Sequence, residues 1–298
     1  MTIGKHPIIV LGLNPAWQKI MLFDEFNVAA VNRACEIFEL PSGKGVNFAM
    51  AAENAGAECV VAQFSGGALG KRFLGDLEKR GVDAINREVD ATTRTCVTLV
   101  TKGDPEVTEI IEPSGAVAED DLQWLMERVT ARIPECAGVA LCGTSPPGVP
   151  ASFHAALAET AGKHSKPIIL DAYRNVEPIL DTRAVSILKI NRAEITALTR
   201  NGDIEKAARY LAEKFDIPIV AVTDGPGKAL LMEDGNASWH APPRTKCLNP
   251  IGAGDVVSAV LFVEILRGTP PSSAFDAALK AGSESCASIL PAFAEKKR

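Results

Sequence analysis

The sequence lacks the spacings that build metal sites and disulfide frameworks. Its seven cysteines are odd in number and scattered, no two of them form a CxxC pair, and the four histidines form no HExxH motif. Structural zinc sites and disulfide-rich folds depend on such spacings. We therefore expect neither, and we interpret the cysteines as small buried residues in a reducing compartment. They are Cys35, Cys59, Cys96, Cys136, Cys142, Cys247 and Cys286.

Long apolar runs and an excess of positive charge are also missing. No run reaches the roughly 18 residues that a membrane span requires, and the first residues, Met-Thr-Ile-Gly-Lys-His, do not resemble a signal peptide. The net charge is -6, with acidic and basic residues interspersed. This pattern argues against nucleic acid or an anionic membrane surface as a partner. We expect a cytoplasmic protein with no nucleic-acid partner and no membrane partner.

The composition is that of a globular α/β protein. Hydrophobic residues make up 47% of the 298 residues, which is enough for a large core. Short apolar runs alternate with amphipathic stretches, and this pattern predicts a mostly parallel sheet covered by helices on both faces. Strands are predicted at 7–13, 59–64, 137–143, 167–171, 186–190 and 218–222, helices at 48–54, 69–80, 119–131, 151–162, 192–198, 203–214, 253–267 and 272–289, and a hairpin at 228–240.

Two segments, about 15–40 and 92–112, interrupt this alternation. Both are β-rich, so they could pair into a small accessory sheet inserted in the α/β core. We find no internal repeat and no interdomain linker, and we expect residues 1–298 to form a single domain.

Two glycine-rich stretches only superficially match nucleotide-binding loops. Gly66 to Lys71 is one residue shorter than a Walker A loop, and Arg72 stands where a Ser or Thr must hold magnesium. Gly252 and Gly254 lack the third glycine of the dinucleotide fingerprint and lie far from a first βα unit. We reject both interpretations.

The stretch from Asn249 to Asp255 carries a stronger signal. Its Gly-Ala-Gly turn precedes an almost wholly apolar run, which is typical of a loop entering a buried helix. The first turn of a helix has free N–H groups and a positive dipole end, so it can bind an anion. Asp255 there could cap the helix or act as a base toward a hydroxyl.

Several further strings occur in the order found in one enzyme family. The strings are Leu13-Asn14-Pro15-Ala16, Val31-Asn32-Arg33, Gly43-Lys44-Gly45-Val46-Asn47, Thr93-Arg94-Thr95, Glu112-Pro113-Ser114-Gly115, Pro146-Pro147-Gly148-Val149, Asn191-Arg192-Ala193-Glu194, Thr223-Asp224-Gly225 and Asn249 to Asp255. Together they resemble the PfkB (ribokinase-like) carbohydrate kinases, in the branch of 1-phosphofructokinase and tagatose-6-phosphate kinase.

The resemblance implies a three-layer α/β/α fold with a small β-sheet lid, which in this family often makes a dimer contact. It also implies ATP-dependent phosphorylation of a sugar hydroxyl, with Asp255 as the base and the N–H groups of Gly252, Ala253 and Gly254 as an anion hole. Asn191 and Glu194 would act near Mg²⁺, through water. Thr223, Gly225, Gly227, Gly282 and Ser285 would contact ATP, and Asn14, Gln18, Gly43, Lys44, Asn47 and Arg94 would contact the acceptor.

Two departures leave the substrate open. Gln18 stands where the branch has an acid that grips sugar hydroxyls, and Ser42 replaces the first of two paired glycines. Lys44 and Arg94 favour a ketose phosphate as acceptor, because both carry the charge that a phosphate needs. A kinase of an unphosphorylated sugar or nucleoside is the alternative, since Gln18 is uncharged. A non-catalytic sugar- or nucleotide-binding protein is the third hypothesis.

Overall fold

The computed structural model of the chain describes residues 6–104 and 106–293. Its main sheet has nine strands in the order β13-β12-β11-β10-β9-β8-β1-β4-β5. The strands from β11 to β5 are parallel, and the hairpin β12–β13 adds antiparallel strands at one edge. The strands are β1 Ile8–Leu11, β4 Cys59–Ser65, β5 Asp83–Glu88, β8 Gly138–Cys142, β9 Ile168–Asp171, β10 Ile187–Asn191, β11 Ile219–Thr223, β12 Ala229–Glu233 and β13 Asn236–His240.

A second sheet of four strands, in the order β3-β2-β6-β7, forms the lid. Its strands are β2 Ala16–Phe23, β3 Glu36–Ser42, β6 Arg94–Thr101 and β7 Val107–Ile111. Ile20, Leu40 and Val100 form a small core of their own on this sheet. The two segments that interrupt the α/β alternation of the sequence therefore do pair with each other.

Helices cover both faces of the main sheet. They are α1 Lys44–Asn54, α2 Gly67–Arg80, α3 Glu119–Arg132, α4 Ala151–Lys163, the single turn α5 Glu177–Leu180, α6 Arg192–Thr199, α7 Ile204–Phe215, α8 Ala253–Leu266 and α9 Pro271–Cys286, with 3₁₀ segments at Ile133–Glu135 and Pro291–Phe293. Alternate residues of β1 enter two separate apolar cores, Ile9 and Leu11 on one face and Ile8 and Val10 on the other. The continuous apolar run of β1 follows from this burial on both faces.

The predicted architecture of three layers with a β-sheet lid is confirmed, but some local predictions were wrong. The edge strand β5 was not predicted, because its sequence Asp-Ala-Ile-Asn-Arg-Glu is mostly polar and only Ile85 is buried. Helix α1 begins at Lys44 rather than Phe48. Helix α9 ends at Cys286 rather than at residue 289. Within the described residues, no helix is both long and apolar enough to cross a membrane.

Candidate active site

Most of the predicted site residues gather at the carboxyl ends of the parallel strands. Asn14 follows β1, Asn191 ends β10 and Thr223 ends β11. In an open α/β sheet this edge is where ligands bind, because loops and helix N-termini converge there. A cleft of about 840 Å³ opens at the opposite edge, around the starts of β4 and β5, and none of the predicted site residues lines it. Most of the predicted site residues therefore lie together at the carboxyl ends of the strands, away from this cleft.

The loop that enters α1 is built by close backbone packing. Gly43 has a φ of +114°, which L side chains rarely adopt, and it turns the end of β3 directly into the helix. A side chain on Gly12 would place its Cβ 2.7 Å from the Cα of Gly45, so only two glycines allow α1 to approach the end of β1 this closely. The first turn of α1 is thereby held beside the site.

Asp255 lies in the first turn of α8 and is only 6% exposed. Gly252, just before the helix, has a φ of +80°, and the Nδ2 of Asn47 donates a hydrogen bond of 2.7 Å to Oδ2 of Asp255. Burial raises the pKa of Asp255 to about 6, against the opposing effect of the Lys44 charge. Such a carboxylate is ionised at neutral pH and basic enough to accept a proton.

One backbone N–H group of the Gly252 turn already makes a hydrogen bond within the protein. The N–H of Ala253 donates to the carbonyl of Pro250 at 3.2 Å. To hold a phosphoryl oxygen, this N–H would have to exchange that bond for the anion.

A buried ionic cluster adjoins Asp255, and the sequence interpretation missed most of it. Nζ of Lys44 lies 2.7 Å from Oδ1 of Asp171, and Nζ of Lys189 lies 3.7 Å from Oδ2 of the same carboxylate. The hydroxyl of Ser258 donates to Asp171 Oδ2 at 2.6 Å. Burial would raise the pKa of Asp171, but the two lysines outweigh it and hold the value near 2.

Lys189 also lies directly under the glycine turn. A Cβ built on Gly254 would be 2.9 Å from Nζ of Lys189, whose side chain is 4% exposed. The sequence did contain a signal for this residue and for Asp171. One is a lysine inside the apolar strand β10, and the other is an aspartate ending the apolar strand β9, and charged residues are rarely buried without a partner.

Asn191 and Glu194 form a capping box at the start of α6. The Asn191 side chain accepts from the Glu194 N–H, and Glu194 Oε2 accepts from the Asn191 N–H, each at 2.9 Å. Glu194 Oε1 points toward Lys44, 3.9 Å from its Nζ. Among the described residues, no group of three or more His, Cys, Asp or Glu side chains could hold a metal ion. Oε1 of Glu194 takes no part in the capping box, and a single carboxylate oxygen of this kind fits a magnesium ion that is held mainly by phosphates and water.

The predicted nucleotide-side residues separate into two groups. Thr223, Gly225 and Gly227 lie at and after the end of β11, where Arg192 at the start of α6 pairs with Asp224 at 2.6 Å. Gly282 and Ser285 are instead buried in α9. A Cβ on Gly282 would come within 2.6 Å of Val257 on α8, so this glycine permits close helix packing.

Three of the residues predicted to contact the acceptor are held by hydrogen bonds within the protein. Asn14 donates to Thr144 Oγ1 at 3.1 Å and accepts from Ser114 at 2.7 Å. Arg94 donates from Nη2 to the Asn14 carbonyl at 3.1 Å, whereas its buried Nε has no hydrogen-bond partner among the residues that the structure describes. Gln18, which is 3% exposed, donates from Nε2 to Thr98 Oγ1 at 2.7 Å.

Known proteins similar to this chain are sugar and sugar-phosphate kinases. The model of the pfkB family carbohydrate kinases matches residues 18–297. A 1-phosphofructokinase of Rhodobacter capsulatus is 31% identical over 262 residues, covering 86% of this chain and 82% of its own length.

Two crystal structures of phosphofructokinase-2 from Escherichia coli share the fold. The complex with substrates and products has a TM-score of 0.87 at 23% identity, covering 94% of this chain and 93% of the other. The tetrameric inhibited form has a TM-score of 0.85 at 23% identity, covering 94% of each chain.

Proposed function

The chain belongs to the pfkB family of carbohydrate kinases and has the ribokinase-like fold, and we propose that it transfers the γ-phosphoryl group of ATP to a hydroxyl of a ketose phosphate. The acceptor would be of the fructose-1-phosphate, fructose-6-phosphate or tagatose-6-phosphate type. The single observation that carries this proposal is the buried Asp255 at the start of α8, beside the Gly252–Gly254 turn and the Lys44 and Lys189 cations.

In the proposed reaction, the acceptor hydroxyl oxygen forms a bond to the γ-phosphorus while the bond from that phosphorus to the bridging oxygen of ADP breaks. Asp255 takes the hydroxyl proton as the new bond forms. Its pKa of about 6 lets it accept this proton at neutral pH. No protein group needs to become covalently attached, so binding and charge stabilisation provide most of the catalysis.

Charge stabilisation falls to backbone and lysine groups. The N–H groups of Gly252, Ala253 and Gly254 would face the moving phosphoryl group, and Lys189 below Gly254 would add positive charge. Bound Mg²⁺ would neutralise the ATP phosphates, and Asn191 and Glu194 would hold it through water. Thr223, Gly225 and Gly227 would line the nucleotide. The burial of Gly282 and Ser285 in α9 favours a supporting role in packing over direct contact with ATP.

For the acceptor, we assign the phosphate group to Arg94 and Lys44 and the hydroxyls to Asn14, Gln18, Gly43 and Asn47. The position of Arg94 supports this assignment, because its partly exposed guanidinium donates to the carbonyl of Asn14 and so brings a positive charge beside another residue assigned to the acceptor. The name of the Rhodobacter capsulatus relative, 1-phosphofructokinase, favours the same acceptor class.

A second candidate function is phosphorylation of an unphosphorylated sugar or nucleoside. The neutral pair Gln18–Thr98 favours it, because an amide can hydrogen-bond the hydroxyl groups of a substrate that carries no phosphate. A non-catalytic sugar- or nucleotide-binding protein is a third candidate. The retained Asp255, Asn47 and Lys44 arrangement argues against it.

The lid offers a surface for a homodimer, and we propose that two lids pair. Its strands and the β2–β3 loop expose several large apolar side chains, and burying such side chains between two chains is favourable. They are Val28, Val31, Ile37, Ile110 and Ile111, between 51% and 89% exposed. We also propose a cytoplasmic location, in keeping with seven free cysteines.

An ATP-consumption screen tests the function. The purified protein is assayed with fructose-1-phosphate, fructose-6-phosphate, tagatose-6-phosphate, free sugars and nucleosides, with Asp255→Asn as the inactive control. Turnover confined to phosphorylated ketoses supports the first function, and turnover confined to free sugars or nucleosides supports the second. Binding of ATP or sugar without any turnover would support the third.

Gln18→Asp refines the acceptor assignment. The substitution places a carboxylate in the pocket, and a carboxylate forms stronger hydrogen bonds with sugar hydroxyls than an amide does. We therefore expect higher activity on a standard phosphoketose. No gain with any phosphoketose would mean that the pocket around Gln18 and Thr98 serves a different acceptor.

A further inference from the structure

A chain of two hydrogen bonds joins the lid to Asp255. The hydroxyl of Ser42, the last residue of β3, donates to Oδ1 of Asn47 at 3.1 Å. Nδ2 of the same amide donates to Oδ2 of Asp255 at 2.7 Å. Ser42, Asn47 and Asp255 are 3%, 4% and 6% exposed, so water has little access to these bonds.

The carboxylate of Asp255 sets the orientation of the Asn47 amide, and the Ser42 hydroxyl supports that orientation by donating to the amide oxygen. An amide has one end that accepts and one that donates, whereas an ionised carboxylate only accepts. With a hydroxyl donating to its oxygen, the amide presents its NH₂ group to the carboxylate. In the opposite orientation two acceptor oxygens would face each other in a buried site, which is costly.

Backbone constraints hold Ser42 in place. It pairs with Ala16 in the antiparallel ladder of β2 and β3. The next residue, Gly43, turns the chain into α1 with a φ of +114°, so that Ser42 comes to face Asn47.

We propose that Ser42 is a positioning residue for phosphoryl transfer, because its hydroxyl anchors the Asn47 amide, which in turn holds the Asp255 carboxylate toward the acceptor hydroxyl. This inference rests on the proposed function, since it requires Asp255 to be the base. Ser42 contacts neither the acceptor nor ATP in this role, and it acts only through Asn47.

The charged surroundings of Asp255 do not depend on Ser42. Lys44 on α1, Asp171 on β9 and Lys189 on β10 act on it electrostatically, and the Cys142 thiol on β8 also faces this cluster. A substitution at Ser42 leaves all four groups in place. A change in the pKa of Asp255 in a Ser42 variant would therefore indicate a change in the hydrogen bond from the Asn47 amide.

The test compares Ser42→Ala, which removes the hydroxyl, with Ser42→Thr, which keeps it. The hydrogen bond from Asn47 favours the ionised form of Asp255, so a loosened amide raises the pKa of that carboxyl. For Ser42→Ala we expect the acid limb of kcat/KM for the acceptor to move up by about 0.5–1 pH unit. We expect kcat at pH 7 to fall about 5–10-fold; the pKa change accounts for less than about twofold of this, and the misplaced carboxylate accounts for the rest. KM for ATP should stay within about twofold, and Ser42→Thr should restore the wild-type limb.

Ser65→Ala is a matched control, because the Ser65 hydroxyl also donates to an asparagine oxygen, Asn86 Oδ1, at 2.8 Å. Its thermal unfolding should shift about as much as that of Ser42→Ala, without movement of the acid limb. A folded Ser42→Ala with an unchanged limb and unchanged kcat overturns the inference, provided that Asp255→Asn is inactive. If Asp255→Asn keeps full turnover, the proposed function itself fails.

Discussion

Nζ of Lys44 lies 2.7 Å from Oδ1 of Asp171, although 127 residues separate the two in the chain. The carboxyl is almost wholly buried, whereas the lysine side chain is 35% exposed. The ammonium group of Lys44 is therefore paired with a buried carboxylate, while the side chain stays partly accessible to a ligand. Burial would lower the pKa of Lys44, but Asp171, Asp255 and Glu194 outweigh it and raise that pKa, so the lysine stays charged.

Replacing Lys44 with methionine should destabilise the fold. Among the described residues, Lys189 at 3.7 Å would then be the one cation that pairs with Asp171. We expect the free energy of unfolding at pH 7.5 to fall by about 1–3 kcal/mol, less than for a fully buried pair because solvent screens Lys44. Urea denaturation measures it. The matched control is Lys102→Met, which breaks the exposed 2.6 Å pair with Asp24 and should change stability within experimental error. Equal losses in the two variants would contradict the role assigned to burial.

The activity of the wild-type protein should fall on acidification. Burial, the largest influence, raises the pKa of Asp255 to about 6. Below that pH the carboxyl is protonated and cannot take the proton of the substrate hydroxyl. We expect kcat/KM for the acceptor to fall about tenfold per pH unit below that value. ATP affinity measured over the same range separates protonation of the nucleotide from protonation of the base. An activity that stays level down to pH 5 would exclude Asp255 as the base.

Asp255→Asn should be inactive yet more stable, increasingly so as the pH rises. The folded-state pKa of about 6 lies above the ordinary value of 3.8, so this group's contribution to stability is fully present below 3.8 and is lost as the pH rises through 6. The asparagine does not titrate. The stability advantage of the variant should therefore grow by roughly 1 kcal/mol between pH 5 and pH 8. Thermal unfolding of both proteins at the two pH values would show this, and a constant difference would contradict it.

Arg94→Met should affect phosphorylated acceptors selectively. If the Arg94 guanidinium binds the acceptor phosphate, its loss should raise KM for the ketose phosphate by about 10- to 100-fold. Activity on the corresponding free sugar should change little. Arg87→Met is the control, because Arg87 pairs with Asp121 on α3 at 2.6 Å and takes no part in the proposed site. A similar loss for both acceptors would indicate a structural role for Arg94.

The proposed lid dimer should depend on its exposed apolar residues. Ile110 on β7 is 55% exposed, and a lysine there would place a charge in the contact. We expect wild-type protein to elute as a dimer in size-exclusion chromatography with light scattering, and Ile110→Lys to elute as a monomer at the same concentration. Tyr210→Lys, at an exposed site on α7, is the control and should leave the dimer intact. An unchanged mass for Ile110→Lys would exclude this face.

Local patterns were sufficient to predict most elements of the fold. The apolar runs of β1 and β9 are visible in the sequence because both faces of these strands are buried. The hairpin β12–β13 was predicted as well. The edge strand β5 was missed because an edge strand with one buried residue has no apolar pattern. The start of α1 was placed too late because Lys44-Gly45-Val46-Asn47 reads as a loop, although it forms the first turn of the helix.

The sequence by itself determined the family signatures, the α/β alternation, the β-rich lid and the identity of Asp255 as the candidate base. Each of these depends on residues close together in the chain. Only the tertiary structure decided which buried charges meet, as when β9, β10 and α1 bring Asp171 between Lys189 and Lys44. It also decided that Asn47, 208 residues from Asp255, holds that carboxylate and is itself held by Ser42. Contacts between elements that lie far apart in the chain leave no local pattern in the sequence, because only the packing of those elements sets the distances.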